Sequence, residues 1–450
     1  MAGVAEIQVS RLLDERGLSA FQITVLVWSI LIALIDGYDI GAIAFAAPHL
    51  VTSWGIERGA LGPVLTANNI GALFGAALLG FVGDRYGRKT ALISANLLFG
   101  VLTFAAAYST DLTQLFWLRL FAGFGIGGVM PNIVALNAES APRRLRATMA
   151  IIAAGSVPMG GALAGFTSAT LVAHHGWPIL FYIGGVAPVV FALAAIVGMP
   201  ESIKYMALHK SQRRRMEALI AALKPGFKVA ANARFVIEDE HQAPVSNPLY
   251  LFHNGLWLIT PLAWLLFVLN LMGYFFIISW LPTLLTSAKV PSETAALAGA
   301  LFQVGGTVGA LTVCWWLQRH RFQAITVLFV LAIPVVGSIG FAGLSSAAAL
   351  LTVTFFSGLL VLGIQAGINV SGALIYPTSL RASGSGWELG IGRFGSIIGP
   401  LLGGLFVGLP VERLYIWSAL PFAAGAIVCF AIHRLNAARL KAHPELAKAQ

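Results

Sequence analysis

Two acidic residues stand inside the first long apolar stretch of the sequence. Asp36 and Asp39 lie about halfway along the segment 21–48, which is long enough to cross a bilayer as a helix. A carboxylate at that depth costs roughly 2.5–3.5 kcal/mol, so an acid there is a functional-site hypothesis. With a spacing of three residues both share one helix face, where two like charges in a low dielectric cannot both ionise easily. The pair therefore predicts a proton carrier; the alternative is a helix cap or an interhelical hydrogen bond.

The composition indicates an integral membrane protein. Of the 450 residues, 58% are hydrophobic and 10% are charged, against about 25% charged in soluble domains. Apolar runs of about 20 residues predict membrane spans. Numbered in chain order, twelve are expected, at 21–48, 61–82, 90–108, 112–138, 147–172, 177–199, 257–285, 294–317, 323–343, 347–376, 383–408 and 412–433.

The net charge of +10 reports topology and does not point to a nucleic-acid partner. Three of the 28 Lys and Arg residues, Arg58, Lys289 and Arg413, lie in loops that follow odd-numbered spans. Arg119 and Arg393 lie inside spans, and the rest lie on the side of both termini and the central loop. The positive-inside rule predicts that this side is cytoplasmic. Both cysteines fall inside spans, so the sequence predicts no metal site, and no cofactor is expected.

The chain divides into two halves of six spans. A polar stretch at 204–256 separates an N-terminal bundle, 1–203, from a C-terminal bundle, 257–450. The motif P-x-x-L-R-A-[ST] occurs at 142–148 and again at 377–383, 235 residues later. The same displacement pairs Gly155 with Gly390 and Gly160 with Gly395. An internal duplication of this kind predicts an all-α membrane protein made of two pseudo-symmetric six-helix bundles.

The loop between spans 2 and 3 is expected to act as a latch between the halves. Its glycines permit tight helix ends and close contacts, and Asp84 can pair with an arginine or cap the next helix. This stretch, residues 80–89, resembles the G-x-x-x-D-R-x-G-R-[KR] signature of the major facilitator superfamily. The equivalent loop at 318–321 keeps the basic charge but lacks the aspartate. The predicted latch comprises Gly80, Asp84, Arg85, Gly87, Arg88, Glu139, Arg143, Arg146 and Arg381.

Several further motifs narrow the resemblance. They are Asp36-Gly-Tyr-Asp39, Pro200-Glu-Ser202, Trp280-Leu-Pro-Thr283, Tyr376-Pro-Thr378 and Gly390-Ile-Gly-Arg-Phe-Gly395. Together and in this order they look like the aromatic acid:proton symporter family, which imports hydroxybenzoates, benzoate and related carboxylates in bacteria. The resemblance implies a multi-pass protein of the bacterial inner membrane, with Asp36 and Asp39 in proton coupling or substrate binding. It also implies that Arg119, Arg381 and Arg393 are functionally important.

Glu388 departs from the pattern of that family. It lies near the predicted cytoplasmic end of span 11, where an uncharged residue is usual in that family. We expect this acid to pair with Arg381 or Arg393, because an unpaired arginine in a membrane is costly. The alternative is a second protonation site.

The charges suggest a transport cycle. An arginine that stays charged in the membrane can anchor an organic carboxylate, so Arg119 and Arg393 are predicted to bind substrate. The alternative for each is a fixed ion pair, Arg119 with Asp36 or Asp39 and Arg393 with Glu388. A proton on the Asp36/Asp39 pair would make room for the anion, and both would then leave inside.

Further substrate contacts are predicted on the chemistry of an aromatic acid. The ring of the substrate is expected to contact Phe45, Tyr274, Phe275 and Trp280. Polar contacts are expected from residues near the middle of their spans, Asn270, Gln303, Gln365 and Asn369. The predicted partners are thus an aromatic carboxylate, protons and the lipid bilayer, and a monomer is expected. Alternatives are a transporter of another organic anion, a drug exporter and a non-transporting sensor. No nucleophile, metal-ligand or phosphate-binding constellation indicates an enzyme.

Overall fold

The computed structural model describes residues 6–14, 18–209, 212–223, 234–236 and 248–442. This part of the chain is almost entirely helical. The helices are Val9–Asp14, Ala20–Trp54, Gly62–Tyr86, Arg88–Ala106, Leu112–Gly127, Val129–Ser140, Arg146–His175, Pro178–Gly198, Ile203–Leu208, Arg213–Leu223, Ile259–Ser287, Ser292–Gly337, Ile339–Ser345, Ala347–Ile375, Thr378–Phe406, Val411–Ser418 and Leu420–Ala442. Short 3-10 turns are Arg58–Leu61, Arg143–Leu145 and Pro248–Phe252, and the strands are Glu6–Gln8 and Arg234–Val236.

Twelve membrane spans are present among the described residues, which confirms the predicted number. They are Ala20–Trp54, Arg58–Tyr86, Arg88–Ala106, Leu112–Ser140, Arg143–His175, Pro178–Gly198, Ile259–Ser287, Ser292–Val313, Phe322–Ser345, Ala347–Ile375, Ser383–Phe406 and Val411–Ala442. Span 4 is interrupted at Gly128. Pro131 explains the break, because its ring nitrogen cannot donate to the carbonyl four residues earlier.

Spans 8 and 9 belong to one continuous helical stretch of 46 residues, Ser292–Gly337. A straight helix of that length would extend about 69 Å, roughly twice the thickness of the hydrocarbon core, so it contains two spans. The side chains of 314, 315 and 317–321 lie outside the described part of the chain. The segment 318–321, which the sequence places in a loop between spans 8 and 9, is instead part of this helix, and its side chains, like that of Cys314, are among those outside the described part.

The two halves are built from the same helix contacts. A β-carbon on Gly160 of span 5 would meet the Leu34 carbonyl of span 1, and one on Gly395 of span 11 would meet the Val268 carbonyl of span 7. Leu34 and Val268 are 234 residues apart, close to the displacement of the repeated motif. Backbones approach this closely only where a small residue permits it. Two pseudo-symmetric six-helix bundles are therefore present, as the sequence predicted.

The N-terminal segment and part of the central loop form a small unit beside the bundles. Glu6–Gln8 pairs in parallel with Arg234–Val236. Apolar side chains from three segments fill the space between them: Ile7, Val9, Leu13, Ile203, Met206, Met216, Leu219 and Ile220. The central loop is thus more than the polar linker that its composition predicted, because the helix Arg213–Leu223 buries one apolar face. The rest of the loop lies outside the described residues.

The halves meet on the membrane face away from the termini. We call the face with both termini the terminal face and the other the opposite face. Gly59 and Gly62, at the opposite-face end of span 2, lie against Gly404 of span 11. Midway through the membrane, Asn69 Nδ2 donates to the Ser396 carbonyl at 3.0 Å. The path between the halves is therefore closed on the opposite face.

Candidate functional site

Span 1 is held against span 5 by glycines, which fixes the direction of its acidic residues. A β-carbon on Gly37 would overlap the Val157 carbonyl, and one on Gly41 would lie 3.2 Å from the Ala164 β-carbon. With this face of the helix against span 5, the acids on either side of Gly37 are buried. Asp36 is 2% exposed and Asp39 is fully buried.

Asp39 forms a closed ion pair with Arg119. The two guanidinium nitrogens of Arg119 bind the two carboxylate oxygens of Asp39, with Nη1 at 3.0 Å from Oδ1. Thr103 Oγ1 donates to Asp39 Oδ1 at 2.6 Å and accepts from Arg119 Nη1 at 3.1 Å. The guanidinium carbon lies 5.7 Å from the centre of the Phe181 ring. These four residues all belong to the N-terminal half. The opposite charges of Asp39 and Arg119 balance each other.

Asp36 has a different environment. Its Oδ1 atom is buried and has no hydrogen-bond partner in the structure. The charges that act on it are the negative charge of Asp39 and the positive charge of Arg393. Arg393 belongs to the other half, and its Nη1 donates to the Ala72 carbonyl at 3.0 Å. Asp36 and Arg393 therefore belong to different halves and lie close enough for their charges to interact, but they form no ion pair among the described residues.

Polar side chains of the C-terminal half form a chain of hydrogen bonds. Asn270 Nδ2 donates to Gln365 Oε1 at 2.7 Å, and Gln365 Nε2 donates to Asn369 Oδ1 at 2.9 Å. Asn369 is exposed, whereas Asn270 is buried with its Oδ1 atom unpartnered. Tyr274 lies one turn after Asn270, and its hydroxyl is 3.5 Å from Gln303 Oε1. The structure thus brings together five of the predicted substrate contacts.

The remaining aromatic candidates lie in different surroundings. Phe275 packs edge-on against the Tyr274 ring, with centroids 5.0 Å apart. Phe45 is buried between Gly165 of its own half and Gly299 of the other half, so it helps to close the opposite face. Trp280 is fully buried, and its Nε1 atom donates to the Pro400 carbonyl at 2.9 Å. In this conformation Phe45 and Trp280 are packing residues, so substrate contact by either stays a prediction.

The expected ion pair between Glu388 and an arginine is not found among the described residues. Glu388 is fully buried, and neither of its carboxylate oxygens has a hydrogen-bond partner in the part of the chain that the structure describes. It faces span 10 and the phenol of Tyr376, with its Oε2 atom near Gly372. Burial and the Glu388 charge raise the pKa of Tyr376. Glu388 lies five residues before Arg393, about 1.4 helical turns, so the two side chains point to different sides of span 11.

The predicted latch residues form a charge network inside the N-terminal half. Arg88 Nη2 lies 2.5 Å from Asp84 Oδ1 and 2.9 Å from Glu139 Oε1. The hydroxyl of Ser202 donates to the other oxygen of Glu139. These contacts connect spans 2, 3 and 4 to the segment after span 6. A latch that joins the two halves stays a prediction, since the contacts described here all lie within the N-terminal half.

The start of span 3 is capped by an acid from a distant part of the chain. Gly87 has φ = 99°, and a β-carbon there would overlap the Glu201 carboxylate. Glu201 Oε1 accepts from the backbone amides of Lys89 at 3.1 Å and Ser202 at 2.8 Å. A carboxylate at a helix N-terminus is stabilising because it satisfies free N–H groups. Gly87 is therefore required at this position.

The other latch candidates are spread over the terminal face. The backbone amide of Arg143 donates to Asp14 Oδ1 at 2.8 Å, which ties the N-terminal segment to the loop after span 4. Arg146 Nε donates to the Ala141 carbonyl at 3.3 Å. Arg85 lies over the ring of Tyr86, 5.7 Å from its centre. Gly80 faces open space, and Arg381 Nε is buried without a hydrogen-bond partner among the described residues.

Sequence reasoning missed Thr103, Ser202 and Tyr376 as members of these clusters. Thr103 joins both Asp39 and Arg119. A hydroxyl in an apolar span gives no signal of its own, because most such groups bond to a backbone carbonyl four residues earlier. Ser202 and Tyr376 stood within motifs that the sequence singled out, but their partners became visible only in the structure.

Comparison with known proteins agrees with the fold and identifies the family. The sequence profile of the Major Facilitator Superfamily matches residues 29–400. Two similar proteins are the 4-hydroxybenzoate transporter PcaK of Pseudomonas aeruginosa, 35% identical over 91% of each chain, and the gallate transporter of Pseudomonas putida, 36% identical over 98% of this chain and 97% of the other. The inward-open xylose transporter XylE of E. coli superposes with a TM-score of 0.71 at 15% identity, over 91% of this chain and 96% of the other. The chain belongs to the major facilitator superfamily, whose members are transporters and not enzymes.

Proposed function

We propose that this protein imports an aromatic carboxylate together with a proton by alternating access. The observation that carries the proposal is the contrast between the two span-1 acids. Asp39 is neutralised by Arg119, whereas Asp36 has an unpartnered oxygen and interacts with the charge of Arg393 from the other half. The similar proteins that transport 4-hydroxybenzoate and gallate support an aromatic acid as the substrate.

The two arginines have separate tasks in this mechanism. Arg119 is fully buried and engaged with Asp39 and Thr103, so it keeps the pair neutral and does not bind substrate. Arg393 is the carboxylate anchor, because it lies at the interface between the halves and is not engaged in an ion pair with a carboxylate of the described residues. A bidentate bond from its guanidinium orients a planar carboxylate.

Proton and substrate bind together because of charge balance. When Asp36 is ionised, it compensates the charge of Arg393, and a second carboxylate at Arg393 would be repelled. A proton on Asp36 removes that charge and leaves Arg393 for the substrate anion. The site then has the same net charge before and after loading. Entry of the anion alone would be opposed by about 2.3 kcal/mol per 100 mV of inside-negative potential, and the proton removes this cost.

The C-terminal half supplies the contacts to the ring. The Tyr274 ring stacks near Phe302, with centroids 6.2 Å apart, and offers an aromatic surface beside the polar chain from Asn270 to Asn369. Ring hydroxyls of the substrate hydrogen-bond to this chain. The Asp84, Arg88 and Glu139 network belongs to the latch that engages when the terminal face closes.

The topology follows from the distribution of cations. Most Lys and Arg residues lie on the terminal face, which is therefore cytoplasmic, in a bacterial inner membrane. Arg393 and Asp36 come from the two halves of the same chain, so one protomer contains a complete site and the protein works as a monomer.

Uptake by the purified protein in liposomes tests the proposal. Labelled 4-hydroxybenzoate and gallate are offered outside, with the interior more alkaline by one pH unit. We expect accumulation above the outside concentration, abolished by a protonophore. Protein-free liposomes measure passive entry of the neutral acid, and equal pH on both sides measures uncoupled exchange. Protein-mediated uptake that is indifferent to the imposed gradient would overturn the proton coupling.

A further inference from the structure

A cavity with polar and apolar walls lies on the opposite face, in the cleft between the two halves. Its volume is about 320 Å³, within the roughly 300–1,000 Å³ of small-molecule sites. It is lined by the ends of spans 1 and 7, the start of span 8 and Arg58. Pro48 and His49 in its wall lie one helical turn beyond Phe45, whose ring closes the path between the halves. The cavity therefore stands directly outside the closed part of the transport path.

The cavity gathers the positive charge of this face. Arg58 and Lys289 both line it, and they are two of the three Lys and Arg residues in the loops of the opposite face. The third, Arg413, does not line it. Glu57 and Glu293 are the sequence neighbours of the lining residues Arg58 and Ser292, but no acidic side chain is part of the lining. Cations concentrated in a cleft attract anions from solution.

The backbone at Lys289 is held in a conformation that disfavours a lysine. Its φ is 65°, in the left-handed region where glycine is usual after a helix. The hydrogen bonds there are those of a helix end: Val290 N donates to the Leu285 carbonyl at 3.1 Å, and Lys289 N donates to the Thr286 carbonyl at 3.0 Å. A glycine would satisfy the same bonds without strain. A strained residue that lines a cavity is a sign of function.

Thr283 adds an unpartnered hydroxyl to the same cavity. It is 2% exposed, it lines the cavity, and its Oγ1 atom has no hydrogen-bond partner in the structure. Buried hydroxyls are almost always bonded, so an unbonded one marks a place for a ligand or water. Apolar side chains of Val51, Val290 and Pro291 line the cavity as well.

We propose that this cavity is an outer capture site for the carboxylate of an organic anion. Arg58 and Lys289 bind the carboxylate, Thr283 donates a hydrogen bond to it, and the apolar wall receives the ring. The anion is held there until the opposite face opens and gives access to Arg393. This inference rests on the proposed function, because it concerns the same substrate at an earlier step.

Initial rates of uptake in liposomes test the capture site. The variant Arg58→Gln/Lys289→Gln removes both cations, and Arg413→Gln removes one cation of the same face outside the cavity. We expect the double variant to raise the KM for external 4-hydroxybenzoate on the order of 3- to 10-fold at low ionic strength, because loss of the two cations weakens the electrostatic attraction of the anion. The maximal rate should be unchanged, and added salt should shrink the difference. Arg413→Gln should behave as the unmodified protein.

Lys289→Gly separates loss of charge from loss of folding. Glycine suits the left-handed backbone, so this variant should unfold at a temperature no lower than the unmodified protein while its KM still rises. A KM equal to that of Arg413→Gln, or a lower maximal rate with unchanged KM, would overturn the capture site. Failure of the unmodified protein to transport any aromatic acid would instead refute the proposed function.

Competition distinguishes an organic carboxylate from a simple anion. Benzoate, the neutral benzamide and inorganic phosphate are added at constant ionic strength. We expect benzoate alone to raise the KM for 4-hydroxybenzoate, and we expect this competition to weaken in the double variant. If phosphate competes as well as benzoate and loses its effect in the double variant, the cavity is a general anion site and the assignment to an organic carboxylate is wrong.

Discussion

Asp36 and Asn270 occupy the same position in the two halves of the protein. Gly160 lies against the backbone at Leu34 and Gly395 lies against the backbone at Val268 in the same way. Asp36 and Asn270 each follow that contact by two residues. One half thus presents a group that can take a proton, and the other presents a neutral amide bonded to Gln365. The pseudo-symmetric fold is used for two different kinds of chemistry.

Asp36→Asn should uncouple transport from the proton gradient. The amide imitates the protonated acid, so Arg393 stays available to the substrate and exchange of labelled for unlabelled acid should continue. A gradient of one pH unit supports about tenfold accumulation for one proton, and this accumulation should disappear. Both activities are measured in the same liposomes.

A matched control for this variant is Glu57→Gln, which removes an exposed acid of the opposite face. It should retain both exchange and gradient-driven accumulation. If Asp36→Asn still concentrated the acid against its gradient, Asp36 would not be the coupling residue.

Arg119→Met should destabilise the fold more than the loss of both charges does. The single change leaves Asp39 buried and uncompensated, which costs about 3–5 kcal/mol. Asp39→Leu/Arg119→Met removes the pair together and should cost clearly less. Unfolding of the detergent-solubilised protein in denaturant measures both. Equal losses in the single and double variants would mean that Asp39 without its partner is not destabilising, and the prediction would be wrong.

Gly299→Ala should loosen the closure on the opposite face. A β-carbon at this position would overlap the ring of Phe45, and such overpacking costs about 1–3 kcal/mol. If the strain is released by opening, the ratio of the two conformations changes about 5- to 150-fold. Spin labels at Ser53 and Glu293, one on each half, should report a longer distance. Gly408→Ala, where a β-carbon meets nothing within 4 Å, serves as the control.

The sequence was sufficient for the fold because its signals are local. Apolar length predicts each span, and a short repeated motif was enough to indicate the duplicated halves. The sequence did not predict the break in span 4 at Gly128 or the strand pairing of Glu6–Gln8. The first depends on one missing donor at Pro131, and the second depends on strand pairing between segments more than 200 residues apart.

The site could be predicted as a set of residues but not as a set of pairs. Asp36, Asp39, Arg119 and Arg393 were recognised because charges in a membrane are costly. Which acid faces which arginine depends on the rotation of each helix, and the glycine contacts of span 1 decide it. For the same reason the sequence suggested an arginine partner for Glu388, whereas span 11 turns this acid towards Tyr376.

Glu388→Gln should stabilise the protein. Both oxygens of Glu388 are buried without a hydrogen-bond partner among the described residues, and an unsatisfied buried polar group costs about 1–3 kcal/mol, more when it is charged. Glutamine keeps the shape and removes the charge. Glu139→Gln is the informative contrast, because it removes the charge that pairs with Arg88 and leaves one acceptor oxygen for Arg88 and Ser202, so it should lower stability. Thermal unfolding at pH 8 measures both, and a lower midpoint for Glu388→Gln would point to a cation that neutralises Glu388 in the membrane.

Glu201 should make stability depend on pH. Burial raises its pKa above the ordinary value of 4.5, although hydrogen bonds from the backbone amides of Ser202 and Lys89 favour the charged form. The folded protein therefore holds this proton more tightly than the unfolded chain does. The resulting stabilisation is complete below about pH 4.5 and is lost as the pH rises through the raised pKa. Glu201→Gln cannot titrate, so the unmodified protein should lose stability relative to this variant between pH 4.5 and pH 8, measured as the difference in unfolding midpoints. A difference that grows in favour of the unmodified protein as the pH rises would show that the amide hydrogen bonds outweigh burial at the start of span 3.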